Sequence, residues 1–177
     1  MATWNSRGLR GSALEELINH TNQTYMEKHL ALIQKIPTPI KPIQIEKETR
    51  HITLAYFDQK STVDYIGTVQ GIPVCFDAKE CAQDTFPIAN VHAHQIAFME
   101  EFEYQGGIAF LLISYTKRDE MYYLPFTQIK LFYDRAEAGG RKSFTYDEVD
   151  KSYRIYQEGA AFVHYLPALQ KDLNDRD

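Results

Sequence analysis

Ser61 to Glu80 reads STVDYIGTVQGIPVCFDAKE, the pattern of two strands joined by a tight turn. Val63, Tyr65 and Val69 alternate with Thr62, Asp64 and Thr68, the period of two expected of a strand. Gln70-Gly71 is a turn signal, because Gly supplies the positive φ that hairpin loops need. Ile72 to Ala78 supplies the second run. With Gln70 and Gly71 as the two loop residues, Val69 faces Ile72, Asp64 faces Asp77 and Thr62 faces Lys79. Directly opposed residues have Cβ atoms about 4.5–5.5 Å apart. Two carboxylates so placed repel, and a sheet gains no stability from that pair. A divalent cation reverses the argument, since hard cations want converging carboxylate oxygens. Lys79 lies two residues beyond Asp77 and points to the same face. The competing reading is a solvated hairpin face that happens to carry charges. Against it, Ile66 and Cys75 share the acidic face, while Val74, Phe76 and Ala78 make the other face apolar. Both faces are then partly covered, and buried acids need partners. Lys79 is the only basic residue in the hairpin.

Working outward, 177 residues suffice for one domain with a substantial core. A content of 44% hydrophobic and 24% charged residues is that of an ordinary soluble protein. The longest apolar run, near Ile108 to Ile113, is far too short to span a membrane. MATWNSRGLRG at the start has no apolar segment like that of a signal peptide. A cytoplasmic protein with no membrane partner is expected. Cys75 and Cys81 lie about 20 Å apart on an extended chain, too far for a disulfide. Reduced thiols inside the cell fit best, and two cysteines are too few for a multi-cysteine zinc site. The net charge of −5 argues weakly against nucleic acid, but the distribution of charge matters more. Lys35 to Lys60 holds five basic residues (Lys35, Lys41, Lys47, Arg50, Lys60) against three acids (Glu46, Glu48, Asp58). Arg7 and Arg10 precede any acid.

Ser12-Ala-Leu-Glu15 has the form of a capping box, and the spacing of Leu14, Leu17, Ile18, Thr21 and Tyr25 predicts a helix from about Ser12 to Lys28. Ala31 to Ile36 is a short strand. Pro37, Pro39 and Pro42 form a stiff extended connector. Ile43 to Lys47 and His51 to Phe57 read as two further strands. Asn90 is the expected N-cap of a helix to about Tyr104, ended by Gly106-Gly107. Ile108 to Tyr115 is a nearly continuous apolar strand, expected at the centre of a sheet. Met121 to Phe126 follows as its neighbour. A short helix covers Thr127 to Ala138, Arg141-Lys142 opens a basic turn, and Tyr165 to Leu173 is a last helix.

Among constellations, His92 and His94 are expected on a helix. Residues two apart there point about 200° apart, so they do not chelate together. Gly106-Gly107 lacks the Lys-Ser/Thr of a phosphate loop. Asp64, followed after twelve residues by Asp77-Ala78-Lys79, fits D-x(n)-(D/E)-x-K. That pattern is weak alone. It gains from its context of hairpin, preceding helix with Glu15 and following helix with Gln95, which is the order of restriction-endonuclease-like nucleases.

The chain resembles the RecU family of Holliday junction resolvases. The matching pieces are Ser6-Arg7-Gly8, Leu14-Glu15 with Thr21-Asn22, Pro37-Thr38-Pro39, Ala55-Tyr56-Phe57, Thr62-Val63-Asp64-Tyr65 and Asp77-Ala78-Lys79-Glu80. Phe86-Pro87, His92-Ala93-His94-Gln95, Phe132-Tyr133-Asp134-Arg135 and Gly140-Arg141-Lys142-Ser143 continue the series in order over nearly the whole chain. The resemblance implies an α/β fold with a mixed central sheet flanked by helices. It also implies a homodimer, a β-ribbon stalk inserted in the single domain at about Ile43 to Lys60, and a recombinase partner. The family usually has Glu where this chain has Asp77, which puts the metal geometry in question. The long polar arm of cellular members is missing at the start, so a phage-type or minimal member is expected.

The expected function is cleavage of four-way DNA junctions with Mg²⁺, or Mn²⁺ in its place. Asp64 and Asp77 would hold the metal with the Ala78 carbonyl. Lys79 would orient water or stabilise phosphoryl charge. Glu15 would hold a second metal through water, or serve only the capping box. Gln95 would orient Lys79 or a phosphate, or be only a polar residue on a helix flank. Thr62 would support the cluster. Arg7, Arg10, Lys41, Lys47, Arg50, Lys60, Arg141 and Lys142 are the expected DNA contacts. Two alternatives stand: a duplex- or end-cutting nuclease of the same fold, and a non-catalytic DNA-binding modulator of recombination.

Overall fold

Gln70 and Gly71 both sit at positive φ, 49° and 91°, as a two-residue hairpin loop requires for its twist to match the strands. The strands it joins pair Val69 with Ile72 and Tyr65 with Phe76, the register expected from the sequence. The computed structural model describes residues 12–57 and 62–176. Arg7, Arg10 and Lys60 lie outside the described residues.

In chain order, α1 (Ser12–Glu27) leads to β1 (Leu32–Lys35), β2 (Ile40–Ile45), β3 (Ile52–Phe57), β4 (Tyr65–Val69), β5 (Ile72–Cys81) and β6 (Thr85–Pro87). Then come α2 (Ala93–Tyr104), β7 (Ile108–Tyr115), β8 (Glu120–Pro125), α3 (Phe126–Glu137) and β9 (Ser143–Thr145). The chain ends with β10 (Arg154–Glu158), β11 (Ala161–His164) and α4 (Leu166–Arg176). Seven strands form one mixed sheet in the order β1-β4-β5-β7-β8-β10-β11. Among the described residues only β5 and β7 pair in parallel, because α2 lies between them in sequence and carries the chain back.

Alternation along the strands divides the core into two layers. Phe76, Phe110, Tyr123 and Val163 face α1 and α4, where Leu14, Ile18, Tyr25 and Leu169 cover them. Cys75, Leu111, Ile113 and Leu124 face α2 and α3, covered by Ile96, Met99, Ile129 and Phe132. β7 is buried along almost its whole length, as its apolar run predicts.

The register is locked by a ladder of rings. Tyr65, Phe76, Phe110 and Tyr123 stack across β4, β5, β7 and β8 with centroids 4.7, 4.7 and 4.3 Å apart. Such pairs add about 0.5–1.5 kcal/mol each beyond their burial. A slip of one residue would turn every ring to the opposite face. Gly67 lets β1 approach, since a Cβ there would meet Leu32 O at 2.1 Å.

Several boundaries differ from expectation. β2 begins at Ile40 and contains Pro42, at a register shift between Pro42 and Gln44. Both strands of this ribbon are edges, so a missing N–H is tolerated there. Among the described residues the ribbon β2-β3 pairs only with itself. Helix α2 starts at Ala93 with His92 as its N-cap, while Asn90 ends a short 3₁₀ turn. β6, β9, β10 and β11 have no counterpart in the sequence pattern. They are three to five residues long, too short to leave a period.

Candidate functional site

Asp64 immediately precedes β4, and Asp77 lies in the middle of β5. The hairpin register carries one residue beyond the last ladder pair, Tyr65 with Phe76, so the two acids meet. Asp64 N–H donates to Asp77 Oδ1 at 3.1 Å, and Ala78 N–H donates to Asp64 Oδ2 at 2.9 Å. Each carboxylate is thus held by a backbone amide of the opposite strand. Asp77 is completely buried. Gln95, itself buried, donates from Nε2 to Asp77 Oδ1 at 3.0 Å. Its Oε1 accepts from the backbone N–H of His92 at 3.0 Å. One amide therefore caps α2 and orients the buried acid. The Lys79 ammonium pairs in charge with Asp77 Oδ2, which accepts no aligned hydrogen bond among the described residues.

Burial pushes the Asp64 carboxyl up to about 7, and the neighbouring charge of Asp77 and a hydrogen bond to it push the same way. The Ala78 amide and the Lys79 charge offset only part of this. A fold without a ligand to collect gains nothing from such a pair. A buried carboxylate oxygen met only by the Lys79 charge, beside a second carboxylate pushed toward its neutral form, fits a hard divalent cation. Asp64 and Asp77 would hold that cation, within reach of the partly exposed Lys79.

The expected residues separate into groups. Asp64, Asp77, Lys79 and Gln95 come together. Thr62 is half-buried one residue before the buried Val63. Glu15 pairs with Lys35 on β1, and its backbone carbonyl accepts from Tyr65 OH at 3.3 Å. Among the described residues no three His, Cys, Asp or Glu side chains are grouped to hold a metal. His92 and His94 do not diverge as a helical pair would: His92 precedes the helix, and the two rings stack at 5.4 Å, 15° from parallel. The reason is the cap, whose extended backbone lies outside the helical period.

The expected DNA contacts divide as well. Lys41 lies on β2, and Lys47 and Arg50 lie in the β2-β3 turn, where all three are exposed. Arg141 is tied to Glu148, which also binds Arg135 at 2.7 Å. Lys142 is exposed beside it. The charge pattern of the sequence did not announce the apolar character of the ribbon, where Ile40, Ile43, Ile45, Ile52, Leu54 and Tyr56 are all exposed. The recurring Ile at 40, 43 and 45 was the available signal. Nor did it announce Lys35 as the partner of Glu15, because β1 and α1 meet only through tertiary contact.

A family model described as RecU, Recombination protein U, matches residues 9–171. Three proteins named Holliday junction resolvase RecU are similar over most of their length. That of Limosilactobacillus reuteri (strain DSM 20016) is 40% identical over 167 residues, covering 92% of this chain and 82% of the relative. That of Oenococcus oeni is 41% identical over 172 residues, covering 94% and 87%. That of Staphylococcus aureus (strain MRSA252) is 38% identical over 173 residues, covering 95% and 83%.

Proposed function

The chain belongs to the Recombination protein U family, and on that premise we propose that it is a Holliday junction resolvase, a metal-dependent endonuclease that cuts four-way DNA junctions. The observation that carries the chemistry is the meeting of Asp64 with the fully buried Asp77, whose Oδ2 is left for a cation and for Lys79. A Mg²⁺ ion, or Mn²⁺, held there would supply a polarised phosphoryl oxygen and a more acidic water. Gln95 fixes the Asp77 carboxylate so that its orientation is set before substrate arrives. Lys79, with its side chain 23% exposed, reaches from the buried acid to the surface and balances charge that builds on the phosphate. Asp64 would be the second carboxylate to hold that ion, beside Asp77. Thr62 supports this edge of the site. Glu15 serves a second cation only by leaving Lys35.

The substrate reading draws on the ribbon β2-β3, which is separate from the main sheet and carries Lys41, Lys47 and Arg50. Basic side chains suit crossing phosphates. Exposed Ile43, Leu54 and Tyr56 suit unstacked bases at a junction centre, which intact duplex lacks. Two strands must be cut symmetrically, so a homodimer with two-fold symmetry suits the task, with a recombinase as a further partner. Free, buried Cys75 and Cys81 favour a cytoplasmic setting. No helix among the described residues is long and apolar enough to cross a membrane.

One assay tests the reading. The protein is incubated with a four-way junction, a duplex and single strands, with Mg²⁺ or with chelator. Cleavage of the junction alone, and only with metal, is expected. Equal cutting of duplex, or cutting in chelator, would overturn it.

A further inference from the structure

Three stretches that the chemistry above leaves unused are His92-Ala93, Tyr133 with Ala136, and Lys142. They line one open cavity of about 300 Å³ between the start of α2, the later turns of α3 and the turn before β9. Its walls are of two kinds. Val91 and Ala136 are buried and apolar, and the half-buried Tyr133 ring adds aromatic surface. Around them stand Lys142, Glu137 and His92.

The charges in this region are unevenly committed. Arg135 and Arg141 both spend their guanidinium groups on Glu148. Lys130, on the same helix, pairs with Asp134 and Glu100. Lys142 alone of these cations has no ion pair or side-chain hydrogen bond among the described residues. A free anion would meet the Glu137 carboxylate and be repelled. A ligand with an apolar, ring-bearing body, donor groups and one phosphate would satisfy all of the walls at once.

The cavity is also tied to the candidate active site. His92, on its wall, donates its backbone N–H to Gln95, and Gln95 donates to Asp77. Two hydrogen bonds thus separate the cavity wall from the buried acid. A strand seated against this wall therefore lies in the neighbourhood of the buried acid.

We propose that this cavity seats one deoxynucleotide of the strand being cut, with its sugar and base against Tyr133 and Ala136 and its phosphate on Lys142. The proposal rests on the endonuclease reading and adds a position-specific contact to it. Tyr133 supplies a stacking or edge surface that every base can use. Lys142 fixes the register of the strand relative to Asp64 and Asp77, as phosphate contacts do.

The test uses the full-length protein and a four-way junction carrying a single neutral methylphosphonate at successive positions around the cut. Lys142→Ala should weaken junction binding about three- to tenfold, with a salt slope shallower by about 1. That loss should vanish when the methylphosphonate stands at one defined position near the cut, because the partner charge is then already gone. Tyr133→Leu, which keeps apolar volume, should lower cleavage and change the preferred flanking base. Lys130→Ala should behave as wild type. Binding by Lys142→Ala equal to wild type, or a loss that is the same at every methylphosphonate position, would overturn the proposal. The scan is read as binding in chelator too, so it tests the cavity even if the protein cuts nothing, the outcome that defeats the endonuclease reading instead.

Discussion

Asp64 and Asp77 hold each other through the backbone: the amide of Asp64 donates to Asp77 Oδ1 at 3.1 Å, and the amide next to Asp77 donates to Asp64 Oδ2 at 2.9 Å. Two acids that ought to repel are therefore fixed face to face by strand pairing. The arrangement costs the metal-free fold and favours whatever cation the site collects.

Asp64→Asn should abolish cleavage while junction binding survives, since phosphate contacts elsewhere supply most of the affinity. It should also stabilise the metal-free protein. The folded Asp64 carboxyl titrates near 7 instead of 3.8, so between those values the native state binds more protons than the unfolded chain. Stability then falls as pH rises through that window, and asparagine removes the fall. Thermal melts at pH 5 and pH 8, with and without Mg²⁺, should show a higher melting point for the variant at pH 8 and no Mg²⁺-induced shift. Measurable turnover by Asp64→Asn with Mg²⁺ would take Asp64 out of the chemistry.

Gln95→Ala removes a bond to a buried carboxylate and the cap on α2 together. A loss of about 1–3 kcal/mol in unfolding free energy is expected. Cleavage should fall at least about tenfold even at temperatures where the variant is folded, a factor worth about 1.4 kcal/mol. Its Mg²⁺ requirement should rise, because Asp77 loses its orientation. A purely structural cap would lower the melting point and leave the Mg²⁺ dependence of cleavage where it was.

Replacing residues 43–60 with a short Gly-Ser turn should leave a folded protein, because among the described residues β2 and β3 pair only with each other. Junction binding should weaken while the metal-induced stabilisation remains. Neutralising Lys47 and Arg50 should act more mildly and flatten the salt dependence by up to about 2 in slope. A folded deletion variant with unchanged preference for junctions over duplex would remove the ribbon from substrate choice.

A homodimer is expected at working concentration, since one site can cut only one strand of the symmetric pair at a time. Sedimentation velocity on the active protein reads this directly. A fully active monomer would contradict it.

Strong acid should loosen the turn between α3 and β9. Burial raises the Glu148 carboxyl, but the hydrogen bond from Arg135, the Thr145 amide and the charges of Arg135 and Arg141 outweigh it and hold the group down to about 2. A depressed folded value gives stability that is present above the ordinary 4.5 and lost as pH falls through 2. Glu148→Gln should therefore lower the melting point at pH 7, and the difference from wild type should shrink between pH 4.5 and pH 2.

The hairpin register from Tyr65 to Phe76 was legible in sequence: a two-residue loop with Gly and the strand period favour one register, and that register brings Asp64 beside Asp77. The apolar run Ile108 to Tyr115 likewise announced a central strand, since seven apolar residues in eight are buried only where both faces of a strand are covered. Local chemistry determined these because backbone pairing and side-chain period are short-range. The rest needed the folded molecule. Gln95 could be read equally as a cap or as a site residue, and only the packing of α2 against β5 makes it both. His92 and His94 stack because the helix starts one residue after His92, a boundary set by a side-chain cap and not by the helical period. The pairing of Glu15 with Lys35, and the convergence of His92, Tyr133 and Lys142 on one cavity, join residues tens of positions apart. No periodicity encodes such contacts, because they depend on which faces the sheet leaves for each helix to cover.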